Sequence, residues 1–148
     1  MHSPIGARYH TGIEIIDDNT GAQYAIAFFP SGNEDYVGLA FSEYWIVGAI
    51  VHGPTFPNEE SMPVVQVVVR NGCSANHYIR LAKKIIKNVN QTKYAYEAAR
   101  QNSNTAARYL LIKLGLRPPT PYYDTPAWGN TLTDIWHPYP PMPPYMPY

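Results

Sequence analysis

The spacing of apolar residues changes at Asn71-Gly72, and this change restricts the folds that the chain can adopt. Before it, apolar residues alternate or run together over short segments, as in β-strands; after it, they recur every three or four residues, as in α-helices. Strands that come first and helices that follow favour an antiparallel sheet with the helices on one side. The sequence therefore predicts an α+β fold with about four to five strands followed by about three helices.

The strand segments are short runs rich in β-branched and aromatic residues, bounded by turn-forming residues. Asp17 to Gly21 separates the first two, which is typical of a β-hairpin. The segment Pro63 to Arg70 is almost continuously apolar and is expected to be a central strand covered on both faces. The predicted strands are Tyr9 to Ile16, Gln23 to Phe29, Tyr36 to Phe41, Tyr44 to His52 and Pro63 to Arg70.

Three helices are predicted after the change in spacing: Ser74 to Asn88, Thr92 to Arg100 and Asn102 to Gly115. The last carries signals at both of its ends. Asn102, Ser103 or Asn104 can act as its N-cap, and Gly115 suits the left-handed residue that follows many helices. A helix start of this kind, with unpaired amides and a positive dipole end, stabilises an anion that forms beside it.

The composition excludes several classes of function. The chain has 148 residues, with 11 Lys and Arg against 11 Asp and Glu, and no basic block that indicates a nucleic acid or a membrane surface as partner. No run of about 18 apolar residues could span a bilayer, and no basic leader precedes an apolar run. We therefore expect a soluble domain whose export signal, if it has one, lies outside this sequence. The single Cys73 excludes an internal disulfide, and the five His residues lack the spacing of a metal site, so no cofactor is predicted.

The chain divides into residues 1–116, an α+β domain, and residues 117–148, a loop and arm rich in Pro, Tyr and Trp. The end of the arm favours an extended polyproline conformation. Such a segment could wrap around the domain through its rings, dock on an aromatic groove of a partner, or remain a disordered tail.

A Ser becomes a nucleophile when a nearby base takes its proton, and His suits that role near neutral pH. Among the histidines after the entry segment, His10 is better placed than His52 or His77. It stands on a predicted strand just before Thr11-Gly12, where a Gly lets another group approach closely. A pair of His10 with Ser103, at the start of the third helix, is the arrangement to test.

The stretch Tyr9-His10-Thr11-Gly12-Ile13-Glu14-Ile15 resembles the His-bearing first strand of circularly permuted papain-like hydrolases. This superfamily includes NlpC-type peptidases, lecithin-retinol-acyltransferase-like proteins and PPPDE-type peptidases. Asn102-Ser103-Asn104-Thr105 is similar to the start of the nucleophile-bearing helix in related bacterial domains, some of which end secreted polymorphic toxins. The resemblance extends, in the order of elements, from Tyr9 to about Leu116.

The resemblance implies a role for each matched residue. His10 would be the general base, and Ser103 would occupy the position where this superfamily usually has Cys. Oxyanion stabilisation or shaping of the site would fall to the residues around them: Gly12, Asn102, Asn104 and Thr105. The polar group that orients His10 stays open among Glu14, Gln23 and Tyr24. Cys73, which also precedes a helix, is the alternative nucleophile.

These residues predict a hydrolase or acyl-transfer enzyme that attacks an amide or ester through a Ser-His pair. Its substrate would be a protein, a peptide or a lipid. As part of a larger secreted bacterial protein it could be a toxin or effector domain with a cognate immunity protein as partner. The alternative is a non-catalytic binding domain of the same fold that contacts a protein through its aromatic, Pro-rich C-terminal segment.

Overall fold

The computed structural model describes residues 12–32, 44–53, 75–97, 99–120 and 125–137. They form an α+β fold with a three-stranded antiparallel sheet and two helices, which confirms the predicted class. The predicted strands Tyr36 to Phe41 and Pro63 to Arg70 lie outside the described residues, as do His10, Cys73 and the arm beyond His137. The elements are β1 (Ile13–Ile16), β2 (Gln23–Pro30), β3 (Ile46–His52), α1 (Ala75–Thr92) and α2 (Ser103–Lys113).

The sheet has the order β1-β2-β3, with the predicted hairpin between β1 and β2. In the turn, the Gly21 amide donates to the Asp17 carbonyl at 2.7 Å, and Gly21 adopts a φ of 74°, which a residue without a Cβ tolerates well. Ile26 pairs with Ile13 on one side and with Ile50 on the other. Because β2 has a strand on each side and residues of both faces buried, it is a central strand of this sheet.

Two extended segments, one around Ala95 and one around Ile135, continue the sheet next to Trp45, which directly precedes β3. Trp45 pairs with Ala95, and Tyr94 pairs with Ile135, each as an isolated antiparallel bridge. The predicted helix Thr92 to Arg100 is therefore wrong. Thr92 ends α1, Lys93 leaves the helix at a φ of 59°, and the following backbone bonds across to residues 44–46 and 134. Tertiary pairing outweighs the local helical preference of this segment.

The two helices cover one face of the sheet, α1 against β3 and α2 against β2. The core between the layers is apolar and joins both helices to the sheet and to Leu132. Its buried members are Ile26, Phe28, Ile46, Tyr78, Ala82, Ile86, Val89, Ala106, Ala107, Leu110, Leu114 and Leu132.

Close contact between α1 and β3 depends on Gly48. A Cβ at this position would lie 2.6 Å from the ring of Phe28 and 3.1 Å from a methyl group of Ile86, both core residues. The Asn90 side chain of α1 also bonds this backbone twice: its Oδ1 accepts from the Gly48 amide at 2.7 Å, and its Nδ2 donates to the Gly48 carbonyl at 3.0 Å. Asn90 thus supplies hydrogen-bond partners for the amide and the carbonyl of Gly48, which β2 does not bond.

The end of α2 follows the prediction for Gly115. This residue has a φ of 79°, and its amide donates to the Ile112 carbonyl at 2.9 Å. The Leu116 amide donates to the Leu111 carbonyl at 3.0 Å. These two bonds define a Schellman motif, which satisfies carbonyls that the last helical turn leaves unpaired.

Candidate functional site at the start of α2

The N-cap of α2 is Asn102, one of the three residues that the sequence allows in this role. Its backbone is extended, and its Oδ1 accepts from the amides of Asn104 at 2.9 Å and Thr105 at 3.3 Å. In return, the Thr105 hydroxyl accepts from the Asn102 amide at 3.1 Å. This reciprocal pair is a capping box in which Thr105 takes the place usually held by Glu or Gln. Ser103 is therefore the first residue of the helix and not its cap.

The polar side chains of this turn also hold the chain that follows α2. Nδ2 of Asn102 and of Asn104 donate to the Pro126 carbonyl at 3.2 Å and 3.1 Å. The Thr105 hydroxyl donates to the Ala127 carbonyl at 2.9 Å, and Ala127 has a φ of 62°, unusual for a residue with a Cβ. The residues on both sides of Ser103 thus serve the cap and the attachment of residues 125–127 together.

Gln101 is a site residue that the sequence analysis missed. It is only 2 % exposed, and its side-chain amide is bonded at both ends. Nε2 donates to the carbonyls of Ala95 and Asp134, both at 2.8 Å, while Oε1 accepts from the amides of Thr133 at 2.8 Å and Asp134 at 2.9 Å. One side chain therefore joins the two extended segments beyond β3. A Gln before an N-cap gives no sequence signal for this role, because its partners are distant backbone groups.

Ser103 is 4 % exposed and lies in a continuous run of buried residues from Gln101 to Ala107. Its neighbours Asn102 and Asn104 are fixed by hydrogen bonds, so the backbone of Ser103 is held in one position. The amide of Asn104, which the resemblance assigns to an oxyanion site, donates to Asn102 in this structure. A substrate oxygen would have to replace Asn102 as the acceptor for that amide.

The structure brings together four of the predicted site residues, Asn102, Ser103, Asn104 and Thr105. Their proposed partner His10 and the alternative nucleophile Cys73 lie outside the described residues. Gly12 directly precedes β1 and is exposed, and a Cβ there would meet only the Ile26 carbonyl oxygen at 3.6 Å, an ordinary contact. Space around the backbone at this position therefore does not require Gly.

The three candidates for orienting His10 lie on β1 and β2. Glu14 alternates with Ile13 and Ile15, which pack on the core, so Glu14 lies on the sheet face away from the helices. Tyr24 pairs with Ile15 and with His52, and its ring lies 4.9 Å from that of His52. Tyr24 shares a face of β2 with Ile26 and Phe28, so it is on the helix side of the sheet, whereas Gln23 is not.

Trp45 and Trp136 form an aromatic cluster, and Trp136 lies next to His137, the last residue that the structure describes. The rings of Trp45 and Trp136 are 4.6 Å apart, and the Lys93 ammonium lies 4.7 Å from the first ring centre and 5.7 Å from the second. The indole Nε1 of Trp136 is buried and has no hydrogen-bond partner among the described residues. The exposed Lys93 is attracted to both ring faces, which stabilises the pair.

No group of three His, Cys, Asp or Glu side chains within the described ranges could hold a metal ion. Neither α1 nor α2 has the length and apolar composition that crossing a bilayer requires. Comparison of the chain with protein-family profiles, with curated proteins and with solved structures gave no significant match.

Proposed function

We propose that the protein is a hydrolase or acyl-transfer enzyme with Ser103 as its nucleophile. The observation that carries this proposal is that Asn102 and Thr105 form the cap. Ser before a helix most often serves as the N-cap, and here that role is filled by its neighbour. A hydroxyl at position 103 is therefore not needed to start the helix. The bonded residues around it would hold a nucleophile in a defined position on a rigid element.

In the proposed mechanism, His10 removes the Ser103 proton while Oγ attacks the carbonyl carbon of an amide or ester. The tetrahedral oxyanion would form beside the positive end of α2. Its collapse would expel an amine or alcohol that takes the proton from His10, leaving an acyl group on Ser103. Water or another acceptor, activated by His10, would then release that acyl group.

Labelling with a fluorophosphonate probe tests the nucleophile, because such probes react with activated serines. We expect labelling of the full chain at Ser103, its loss in Ser103→Ala, and a fall of about 10²-fold or more in His10→Ala. Cys73→Ala and Ser31→Ala serve as controls and should label as the parent does. Circular dichroism should show that Ser103→Ala is folded, so that its loss of labelling reports the missing hydroxyl.

Two results would contradict the proposal. One is the absence of labelling and of esterase activity in a chain shown to be folded. The other is full activity in Ser103→Ala and His10→Ala together with loss of activity in Cys73→Ala, which would make Cys73 the nucleophile.

A non-catalytic binding domain is the second candidate, and the burial of the helix start favours it. Ser103 is almost inaccessible, and the polar atoms beside it bond residues 126 and 127. In this case the protein would contact a partner through its C-terminal segment, which continues from the Trp45 and Trp136 cluster. Labelling of Ser103 would exclude a purely structural role for that residue.

A further inference from the structure

The outer face of α1 carries a cluster of cations and no acidic residue. Its solvent-exposed side includes four cationic side chains within two helical turns, and the helix contains no Asp or Glu. Within the described residues, none of the four takes part in an ion pair. These residues, named here the α1 basic face, are Arg80, Lys83, Lys84 and Lys87.

The zero net charge of the chain conceals this surface, because charge is segregated along the sequence. Eight of the 11 acidic residues precede Asn71, whereas nine of the 11 Lys and Arg residues follow Gly72. Among the acidic residues that the structure describes, Glu14 is exposed on the sheet face opposite the helices. The four cations of α1 therefore contribute a local positive field that the total charge of the chain does not reveal.

The α1 basic face is one side of a helix that packs along the sheet. Residues on each turn of α1 are buried in the core from Tyr78 to Val89, so the helix lies along the sheet and only one side reaches solvent. Its exposed residues include no Phe, Tyr or Trp on which bases could stack, and no aliphatic side chain to insert into lipid.

Three of the four cations are lysines, which act as hydrated point charges and lack the planar fork that recognises single phosphates. Such a set suits many diffuse anionic groups on a broad surface. We propose that the α1 basic face binds the anionic headgroups of a phospholipid membrane surface, without insertion. Each cation near such a surface contributes about a fivefold increase in partitioning. Attachment by the full set is therefore reversible and depends on ionic strength.

Co-sedimentation with vesicles tests the proposal on the full chain. The probe is phosphatidylcholine with about a third of phosphatidylserine, compared with pure phosphatidylcholine. We expect binding only to the anionic vesicles at an ionic strength of about 0.1 M, and its loss at about 1 M, where the Debye length falls to about 3 Å. Replacing two lysines in Lys83→Gln/Lys87→Gln should lower the partition coefficient about thirtyfold.

A matched control removes two exposed cations from another place. Lys113→Gln/Arg117→Gln changes net charge by the same amount and should change the partition coefficient by less than about threefold. Equal losses in the two double variants would overturn the proposal, because net charge alone would then explain binding. Absence of binding to the anionic vesicles would also overturn it. So would stronger binding to a duplex oligonucleotide with the same dependence on Lys83 and Lys87.

The proposal does not depend on the proposed catalytic function. Ser103→Ala should bind the anionic vesicles as the parent does, whatever its activity. An inactive chain that binds vesicles would contradict only the proposed enzyme activity. An active chain that does not bind vesicles would contradict only the proposed membrane binding.

Discussion

The outer face of α1 and the start of α2 use polar residues in opposite ways. Along α1, apolar residues face the core and charged residues face solvent, and the Asn90 side chain bonds the backbone of β3. At α2, the first residues are buried although they are polar, and hydrogen bonds to distant carbonyls satisfy them. A polar side chain keeps water as its partner in the first case and needs protein partners in the second.

The cost of a substitution in free energy of unfolding differs between these two regions. An exposed polar residue of α1 can be replaced at little cost, since water solvates whatever remains. A buried polar residue near the start of α2 leaves its partners unpaired when it is removed, and each such group costs free energy. Pairs of matched substitutions, one in each region, can measure the contrast.

The largest effect is expected for Gln101→Ala. It removes hydrogen bonds to Ala95, Thr133 and Asp134, so the free energy of unfolding should fall by about 3 kcal/mol. The control Gln91→Ala, on the exposed side of α1, should change it by less than about 0.5 kcal/mol. Urea denaturation of both variants measures the difference. Similar losses of unfolding free energy in the two variants would mean that the hydrogen bonds of Gln101 do not contribute to stability.

A smaller effect is expected for Asn102→Ala, which removes the cap and one bond to Pro126. The expected loss is about 1 to 2 kcal/mol in the free energy of unfolding. Asn88→Ala, at an exposed position of α1, is the matched control and should be nearly neutral. Thermal unfolding distinguishes them, and an Asn102→Ala variant as stable as Asn88→Ala would contradict the importance of this cap.

The smallest effect concerns Tyr94, which follows α1 and lies 6.3 Å, between ring centres, from Tyr109 of α2. Burial, and secondarily the neighbouring Tyr109, raise the pKa of Tyr94 above its usual value near 10. The folded protein thus holds this proton more tightly than the unfolded chain. Its contribution to stability is complete below about pH 10 and is lost as the pH rises through the folded-state pKa.

Tyr94→Phe should therefore weaken the alkaline decline in the free energy of unfolding, while the variant and parent show the same pH dependence near neutrality. Chemical denaturation at a series of pH values measures this. An unchanged alkaline slope in the variant would show that Tyr94 does not contribute to it.

Several parts of the fold were accessible from local patterns. The β1–β2 hairpin follows from turn residues between two apolar segments, and α1 follows from apolar spacing, although it extends four residues beyond the predicted Asn88. The helix predicted from Thr92 to Arg100 failed because Tyr94 and Ala95 bond to strands far away in sequence. Local propensity contains no information about such partners.

The candidate site also combines features that local sequence predicts with features that depend on distant segments. A polar helix start at Asn102 to Thr105 was evident, and the sequence left three residues open as its cap. The choice of Asn102, the bonds to residues 126 and 127, and the role of Gln101 depend on segments brought together by folding. The pairing of Ser103 with His10 remains a prediction.

The α+β class, the hairpin, the amphipathic α1 and both end signals of α2 follow from residues within a few positions of one another. Folding decides that residues 94–97 are extended and that α2 begins as a buried polar turn. Both features depend on hydrogen-bond partners and on burial supplied by segments distant in sequence.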